Sequence, residues 1–270
     1  MRPSVLAAGL AAGLATLTLA GTAQAQRVMS LDACADQYLL ALAPRETIVG
    51  LSYRADRPDS FLRAQAAGLP RRRVTTEAVL GARPDIVVRW WGGDARLVAA
   101  LARRGVRTVT IDDAADFAGV RVNVRRVAAA LNRGPQGEAL IGDMDRNLAA
   151  SAGAHQGRSA LYLTPGGFTA GSGTLIDSIL KAAGLTNAAP GPYFAPVPLE
   201  RLAVSPPKAV VLGFFDLARL GADRWGPGRH GALTRATKGR VIAALPGAMV
   251  GCPAWFAADA TLRLAQAADR

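Results

Sequence analysis

The sequence predicts an α/β protein of two lobes, each with a central parallel sheet, joined by one long helix. Three observations predict it. Short β-branched runs alternate with helical stretches through residues 26–115. A mainly helical segment, 116–156, breaks that rhythm, and the alternation resumes over 157–270. A Glu–Pro–Val-Val–aromatic unit occurs once in each half: Glu77, Pro84, Val87-Val88 and Trp90-Trp91, then Glu200, Pro207, Val210-Val211 and Phe214-Phe215. The spacing from Glu to Pro to Val-Val is the same both times, so the two lobes are expected to share one design.

The elements follow in order. Arg27–Leu31 and Thr47–Leu51 read as strands, with a helix over Ala35–Leu42 between them. Thr76–Gly81 reads as a short helix that a threonine caps. Asp85–Arg89 is a near-continuous β-branched run, the mark of a parallel strand buried on both faces. Asp94–Arg104 has an aspartate at its start and Gly105 at its stop, the signals of a helix, and Val106–Ile111 is the next strand. Residues 116–154 hold two helical patterns split by Asn132-Arg133-Gly134-Pro135. The second, Gln136–Ala154, sets Leu140, Ile141, Met144 and Leu148 on one face, and at ~1.5 Å per residue it spans ~28 Å. Strands follow at Arg158–Leu163, Lys208–Leu212 and Arg240–Ala244. Helices are expected over Ser172–Ala183 and from about Phe256 to the end.

The first 25 residues have a separate meaning. Arg2 precedes an uncharged Ala/Leu-rich stretch, Val5–Ala20, and Ala23-Gln24-Ala25 offers small residues where a signal peptidase reads them. That is the pattern of a cleaved secretory signal, and the apolar run is short for a membrane span. Leu31-Asp32-Ala33-Cys34 loosely resembles a lipid-attachment site but is detached from the apolar run. The expected organisation is a signal peptide at 1–25, an N-terminal α/β lobe at 26–115, a helical linker at 116–156 and a C-terminal α/β lobe at 157–270, soluble after export.

The formal charge is +12. Its arginines fall in scattered groups such as Arg71-Arg72-Arg73, Arg103-Arg104 and Arg125-Arg126, without interleaved aromatics or a nucleic-acid module. They read as composition bias, and no nucleic-acid partner is expected. There are two cysteines, Cys34 and Cys252. In an exported chain an even count favours a disulfide, and two free thiols facing a ligand are the alternative.

Aromatics make up only 6% of the chain, so where they gather is informative. They gather in loops. Trp90-Trp91-Gly92-Gly93 follows a strand, at the carboxyl edge where parallel sheets bind ligands. Two tryptophans and a close backbone approach suit a stacking surface for a flat or bulky ligand. Tyr53 belongs to the same rim, and Phe168, Tyr193-Phe194 and Trp255-Phe256 lie in Gly- or Pro-flanked loops. Tyr53, Trp90, Trp91, Gly92, Phe168, Phe194 and Trp255 are the candidate ligand-binding residues. No catalytic residue is expected. The two histidines, His155 and His230, lack metal-ligand spacing, and neither a nucleophile elbow nor a phosphate loop is present. No metal site and no cofactor are expected. Glu77 and Glu200 each open a short helix, which suits a helix N-terminus or a matched pair of anionic knobs for a basic partner.

Read together, "RVMSLDACADQ", "VGLSY", "TTEAVLGARPDIVVRWWGG", "GFTAGSGTLIDSILKAAGLTN" and "PLERLAVSPPKAVVL" resemble the periplasmic substrate-binding proteins of cobalamin and iron-siderophore ABC importers. The resemblance covers nearly all of the chain after residue 25. It implies a class III periplasmic binding protein: two Rossmann-like lobes, one long connecting helix, small lobe movements, and a monomer. It also implies that Glu77 and Glu200 pair with arginines of the importer's membrane subunits. Within the family the chain is most similar to the cobalamin binder, because Trp90 and Gly92-Gly93 match a tryptophan and two glycines at that strand end. Trp91 departs from it, standing where that relative has a basic residue. The implied ligand is a corrinoid, with a ferric siderophore or heme as the alternative, and Arg54, Arg57 and Arg89 near the rim suit an anionic ferric chelate. Cys34 and Cys252 fall on loops that face the cleft in the family. A bridge between them would restrain the lobes across its mouth; as thiols they would meet the ligand.

Overall fold

The computed structural model describes residues 26–217 and 231–268. The chain opens with β1 (Val28–Ser30) and α1 (Ala33–Leu42), then β2 (Ile48–Ser52), β3 (Arg71–Arg72), α2 (Thr76–Gly81), β4 (Ile86–Arg89), α3 (Ala95–Arg103) and β5 (Arg107–Thr110). The five strands form one parallel sheet in the order β3-β2-β1-β4-β5. Two helices follow, α4 (Phe117–Ala130) and α5 (Gly134–Ser151). The second sheet is built from β6 (Ser159–Leu163), β8 (Thr186–Asn187), β10 (Ala209–Gly213) and β11 (Val241–Leu245), again all parallel, in the order β11-β10-β6-β8. Between them in the chain, β7 (Phe168–Ala170) and β9 (Phe194–Pro196) pair antiparallel beside the sheet. The remaining helices are α6 (Leu175–Ala182), α7 (Leu199–Val204), α8 (Gly231–Thr237), α9 (Gly247–Val250) and α10 (Ala257–Gln266).

The expected duplication is present in the pairing. In the first sheet β4 lies between β1 and β5; in the second β10 lies between β6 and β11. The repeated helix–turn–strand unit is therefore α2–β4 in one lobe and α7–β10 in the other.

Strand periodicity explains where the apolar side chains go. In β4, Ile86 and Val88 enter a large core while Val87 joins a smaller cluster with Met29, Leu97 and Leu101 on the other face. In β6, Ala160 and Tyr162 enter the same large core while Leu161 and Leu163 face a third cluster with Val197 and Val210. Both sheets thus turn one face toward a common interior. α1 fills that interior from the first lobe with Tyr38, Leu39 and Leu42, and α10 from the second with Ala257, Ala260 and Leu264. The Tyr38 hydroxyl donates to the Pro253 carbonyl at 2.6 Å across the lobe boundary.

The helical connection is made of two helices, as the sequence suggests, and the longer one is also part of the core. α5 has 18 residues, ~27 Å of helix, and it packs against α4 on one side and α10 on the other. It is one layer of the shared core. It also starts two residues earlier than expected and ends three earlier, at a turn where Gly153 takes a φ of 72°. Several short elements, β3, β7, β8, β9 and α9, carry no signal long enough to read from sequence.

One carboxylate is buried at the centre of the first lobe. Asp36 on α1 accepts hydrogen bonds from the Ser30 hydroxyl at the end of β1, and from the Ser52 N–H (2.8 Å) and hydroxyl (2.6 Å) at the end of β2. It ties the helix to two strand ends. Burial raises its pKa from 3.8 to about 6, against the lowering effect of those bonds. The folded chain holds this proton more tightly than the unfolded chain, so its contribution to stability is complete below about pH 4 and is lost as pH rises through about 6. The stability difference between the native chain and Asp36→Asn is expected to shrink by roughly 2 kcal/mol between pH 4 and pH 7, measured by urea unfolding. Parallel pH profiles for the two proteins would disprove it.

Candidate ligand-binding site

The strand ends of both sheets open onto one cleft. Leu31 and Asp32 follow β1, Ser52 to Arg54 follow β2, and Trp90 to Asp94 follow β4. Phe214 follows β10 on the opposite side, with Gly247, Gly251 and Cys252 around α9. Together they line a chamber of about 770 Å³. This is where an open parallel sheet leaves room for a ligand, and the volume lies in the range of small-molecule sites.

Asp32 builds the tryptophan turn. Its Oδ1 caps α1, accepting from the Cys34 and Ala35 N–H groups at 3.1 and 2.9 Å. Its Oδ2 accepts from the Trp90 and Gly92 N–H groups at 2.6 and 3.0 Å. One carboxylate thus fixes both the helix start and the 90–92 backbone. Gly92 is required by that approach, since a Cβ there would lie 2.3 Å from the Leu31 carbonyl oxygen. Arg89 closes the turn from the other side, donating to the Gly92 and Gly93 carbonyls at 2.6 and 3.2 Å.

The turn presents its two indoles differently. Trp90 is half-buried and donates from Nε1 to Asp113 at 2.8 Å. Trp91 is 67% exposed and meets Trp90 edge-to-face, with ring centroids 5.8 Å apart. Tyr53 stands across the chamber, 56% exposed. A second chamber of about 460 Å³ adjoins the first and shares Trp90, Phe214, Gly251 and Cys252 with it. Tyr193 and Phe194 line it on the far side.

The candidate residues therefore divide. Tyr53, Trp90, Trp91 and Gly92 meet in the main chamber, and Phe194 lies in the second. Trp255 is a correction: it is 8% exposed and packs edge-on against Tyr38 and Phe256, each at a centroid distance of 5.3 Å, as part of the shared core. Phe168 is another: it projects from β7, 45% exposed, and lines neither chamber. Glu77 and Glu200 are both exposed, each the second residue of its helix, α2 and α7. His155 is buried with Nε2 2.8 Å from the Leu264 carbonyl, and His230 lies outside the described residues. Among the described residues no group of His, Cys, Asp or Glu could hold a metal ion.

Of the three arginines expected to suit an anionic ligand, two are engaged and one lies outside both chambers. Arg89 serves the turn, Arg54 pairs with Asp59, and Arg57 lines neither chamber. Among the described residues Arg54 is the one cationic side chain lining the main chamber, against Asp32, Asp59 and Asp94. The described lining of the cleft is thus acidic in a chain that is basic overall. Among the lining residues that the sequence reading did not single out as site residues are Asp32 and Phe214. Phe214 had a signal: counted from the repeated glutamates, it is the counterpart of Trp91. Asp32 had half of one, since an N-cap pattern does not reveal where the second oxygen points.

Cys34 and Cys252 are joined, with an S–S distance of 2.03 Å and Cα atoms 5.4 Å apart. The bridge links the start of α1 to the loop before α10, on the wall of the main chamber, across 218 residues of chain.

The periplasmic binding protein family model matches residues 28–213. The chain belongs to that family. Its members are solute-binding components of ABC importers and not enzymes. No curated protein matches the chain by sequence. Among solved structures, the periplasmic heme-binding protein RhuT from Roseiflexus sp. RS-1 is similar at a TM-score of 0.71 and 23% identity, over 90% of this chain and 98% of that one. The periplasmic heme-binding protein BhuT, solved with two hemes, is similar at 0.67 and 26%, over 90% and 99%. The periplasmic vitamin B12 binding protein BtuF of Vibrio cholerae is similar at 0.62 and 18%, over 90% and 96%. These binding proteins share the class III fold.

Replacing both cysteines by serine is expected to lower stability by about 2–5 kcal/mol in chemical unfolding, because the bridge closes a long loop of the unfolded chain. The oxidised, denatured native chain should label with no thiol reagent; two labelled thiols would refute the bridge.

Proposed function

We propose that this periplasmic binding protein captures a corrinoid and delivers it to an ABC importer. The observation that carries the ligand is the described lining of the main chamber: an exposed indole beside a half-buried one, over walls where, among the described residues, three carboxylates outnumber one guanidinium. A corrinoid is a bulky, flat macrocycle fringed with neutral amides, and such a ligand needs stacking surface and hydrogen-bond acceptors more than cations. Ferric siderophores that carry net negative charge, and the propionates of heme, would enter an acidic cleft at a cost. The likeness to a vitamin B12 binding protein adds fold-level support.

Heme is the second reading. Two observations favour it: the heme-binding proteins among the similar structures, including the one at 26% identity, and the exposed Tyr53 phenol, an oxygen ligand of the type that binds heme iron.

The remaining parts of the proposal rest on sequence. Residues 1–25 act as a cleaved export signal, and 26–115, 116–156 and 157–270 are the two lobes and their linker. The protein works as a monomer. Glu77 and Glu200, one on each lobe and both free to reach outward, form charge-assisted pairs with arginines of the importer.

Two experiments test this. Cyanocobalamin should quench tryptophan fluorescence saturably at micromolar concentration, and Trp91→Ala should weaken that binding about tenfold; hemin binding without cyanocobalamin binding would replace the corrinoid by heme. The Glu77→Ala/Glu200→Ala double variant should bind ligand like the native chain but fail to support uptake in cells. Normal uptake by the double variant would disprove the docking role.

A further inference from the structure

The first lobe sorts its charge by sheet edge. The carboxyl edge, at the cleft, has the acidic lining described above. The opposite, amino edge is basic. Arg27 precedes β1, Arg83 lies just before β4, and Arg107 opens β5. These strands are neighbours in the order β1-β4-β5, so at ~4.8 Å per strand their starts lie within about 10 Å of sheet width. Arg103 and Arg104, at the end of α3, lead into β5 and stand at the same edge. All five arginines are exposed. The Arg27 N–H donates to the Asp85 carboxylate at 2.7 Å and the Arg107 N–H to the Asp85 carbonyl at 3.0 Å, which ties the three strand starts together.

Little opposes this charge locally. Asp85 is the one acidic side chain in the segments 26–27, 82–85 and 103–107. The adjoining start of β2 brings Arg45 and Glu46, which cancel. Among the described residues none of the five guanidiniums meets a carboxylate, whereas arginines elsewhere do, such as Arg71 with Asp56 and Arg125 with Glu138. A compositional excess of arginine accounts for their number but not for five unpaired ones on one edge. Two of them are also set in place by the backbone. Arg83 holds φ 47°, a left-handed position that glycine fills at least cost. The Arg27 guanidinium donates to the Arg83 and Ala82 carbonyls, each at 2.9 Å.

We infer that this edge is a membrane-contact surface that takes the phosphates of anionic phospholipids. A guanidinium fork matches phosphate oxygens in pairs. Five of them spread across three strand starts fit an array of phosphates, as a bilayer surface presents, better than one small anion, which needs convergent donors. The attraction acts within a Debye length of the surface. The cleft lies at the other edge of the sheet, and so does the start of α2, since Thr75 and Thr76 line the main chamber. A chain resting on a bilayer by its amino edge therefore keeps the chamber open to ligand. The surface does not depend on which ligand the cleft holds.

The test is cosedimentation of the full exported chain with lipid vesicles at low ionic strength. Vesicles of phosphatidylglycerol and phosphatidylcholine in equal parts should bind the chain, vesicles of phosphatidylcholine alone should not, and added salt should release it. Arg103→Gln/Arg104→Gln/Arg107→Gln should weaken binding about a hundredfold, at about fivefold for each arginine near an anionic surface. Arg104→Gln alone, at the exposed C-cap of α3, should weaken it about fivefold with an unchanged urea unfolding midpoint. Arg57→Gln/Arg125→Gln/Arg146→Gln removes the same charge elsewhere and should bind like the native chain. Equal losses in the two triple variants would mean that net charge alone acts, and would overturn the surface. So would binding to phosphatidylcholine alone as strong as to the mixed vesicles, or no binding to either. Saturable binding of inorganic phosphate without vesicle binding would replace the membrane by a small anion.

Discussion

The two lobes of this protein share one hydrophobic interior, and the rest of the structure depends on that burial. Each sheet directs alternate side chains inward, and the space between the sheets is filled by α1, α4, α5 and α10. Tyr38 and Trp255 meet edge-on there, Phe61 and Phe256 stack with centroids 4.3 Å apart, and the Tyr38 hydroxyl reaches a carbonyl of the other lobe. Swinging the lobes apart would expose this core to water at roughly 25 cal/mol for every Å² uncovered. The connection therefore resists wide hinge opening, and the Cys34–Cys252 bridge reinforces it at the edge of the cleft.

That restraint sets how the site works. A cleft that cannot open far must be formed in advance, and the hydrogen bonds around Trp90 and Trp91 do that. Asp32 divides its oxygens between the α1 start and the tryptophan turn. Arg89 holds the same turn through two carbonyls, and Asp113 orients the Trp90 ring. The polar groups on this wall mainly position apolar surface. The described lining of the cleft is acidic and aromatic within a net positive chain, and of the arginines near it Arg54 pairs with Asp59 and Arg89 with the tryptophan turn.

Much of the fold was legible because it rests on local patterns. The β-branched run ending at Arg89 reads as a buried parallel strand and is β4. Thr76–Gly81 reads as a capped helix and has those bounds, with the Thr75 hydroxyl accepting from the Ala78 N–H at 3.2 Å. Short elements such as β3 and β8, two residues each, left no pattern because their strand conformation comes from pairing with a neighbour. Of the candidate site residues, the placing of Trp90, Trp91, Gly92 and Tyr53 on the chamber wall was legible because a strand end in a parallel sheet points at the cleft. Trp255 was misread because a Pro-flanked aromatic loop looks the same whether it faces a ligand or a core.

By itself, then, the sequence determined the order of strands and helices, the duplication of the helix–turn–strand unit, and the aromatic character of the loops at the strand ends. Those follow from period, spacing and residue type along the chain. Only the tertiary structure decided which aromatics line the cleft, that Cys34 and Cys252 lie close enough to bond, and that the described lining of the cleft is acidic within a basic chain. Each of these depends on which distant residues come together. Arg54 with Asp59, Arg89 with the glycine carbonyls, and Trp255 with Tyr38 are partnerships set by packing, so composition and local pattern do not record them.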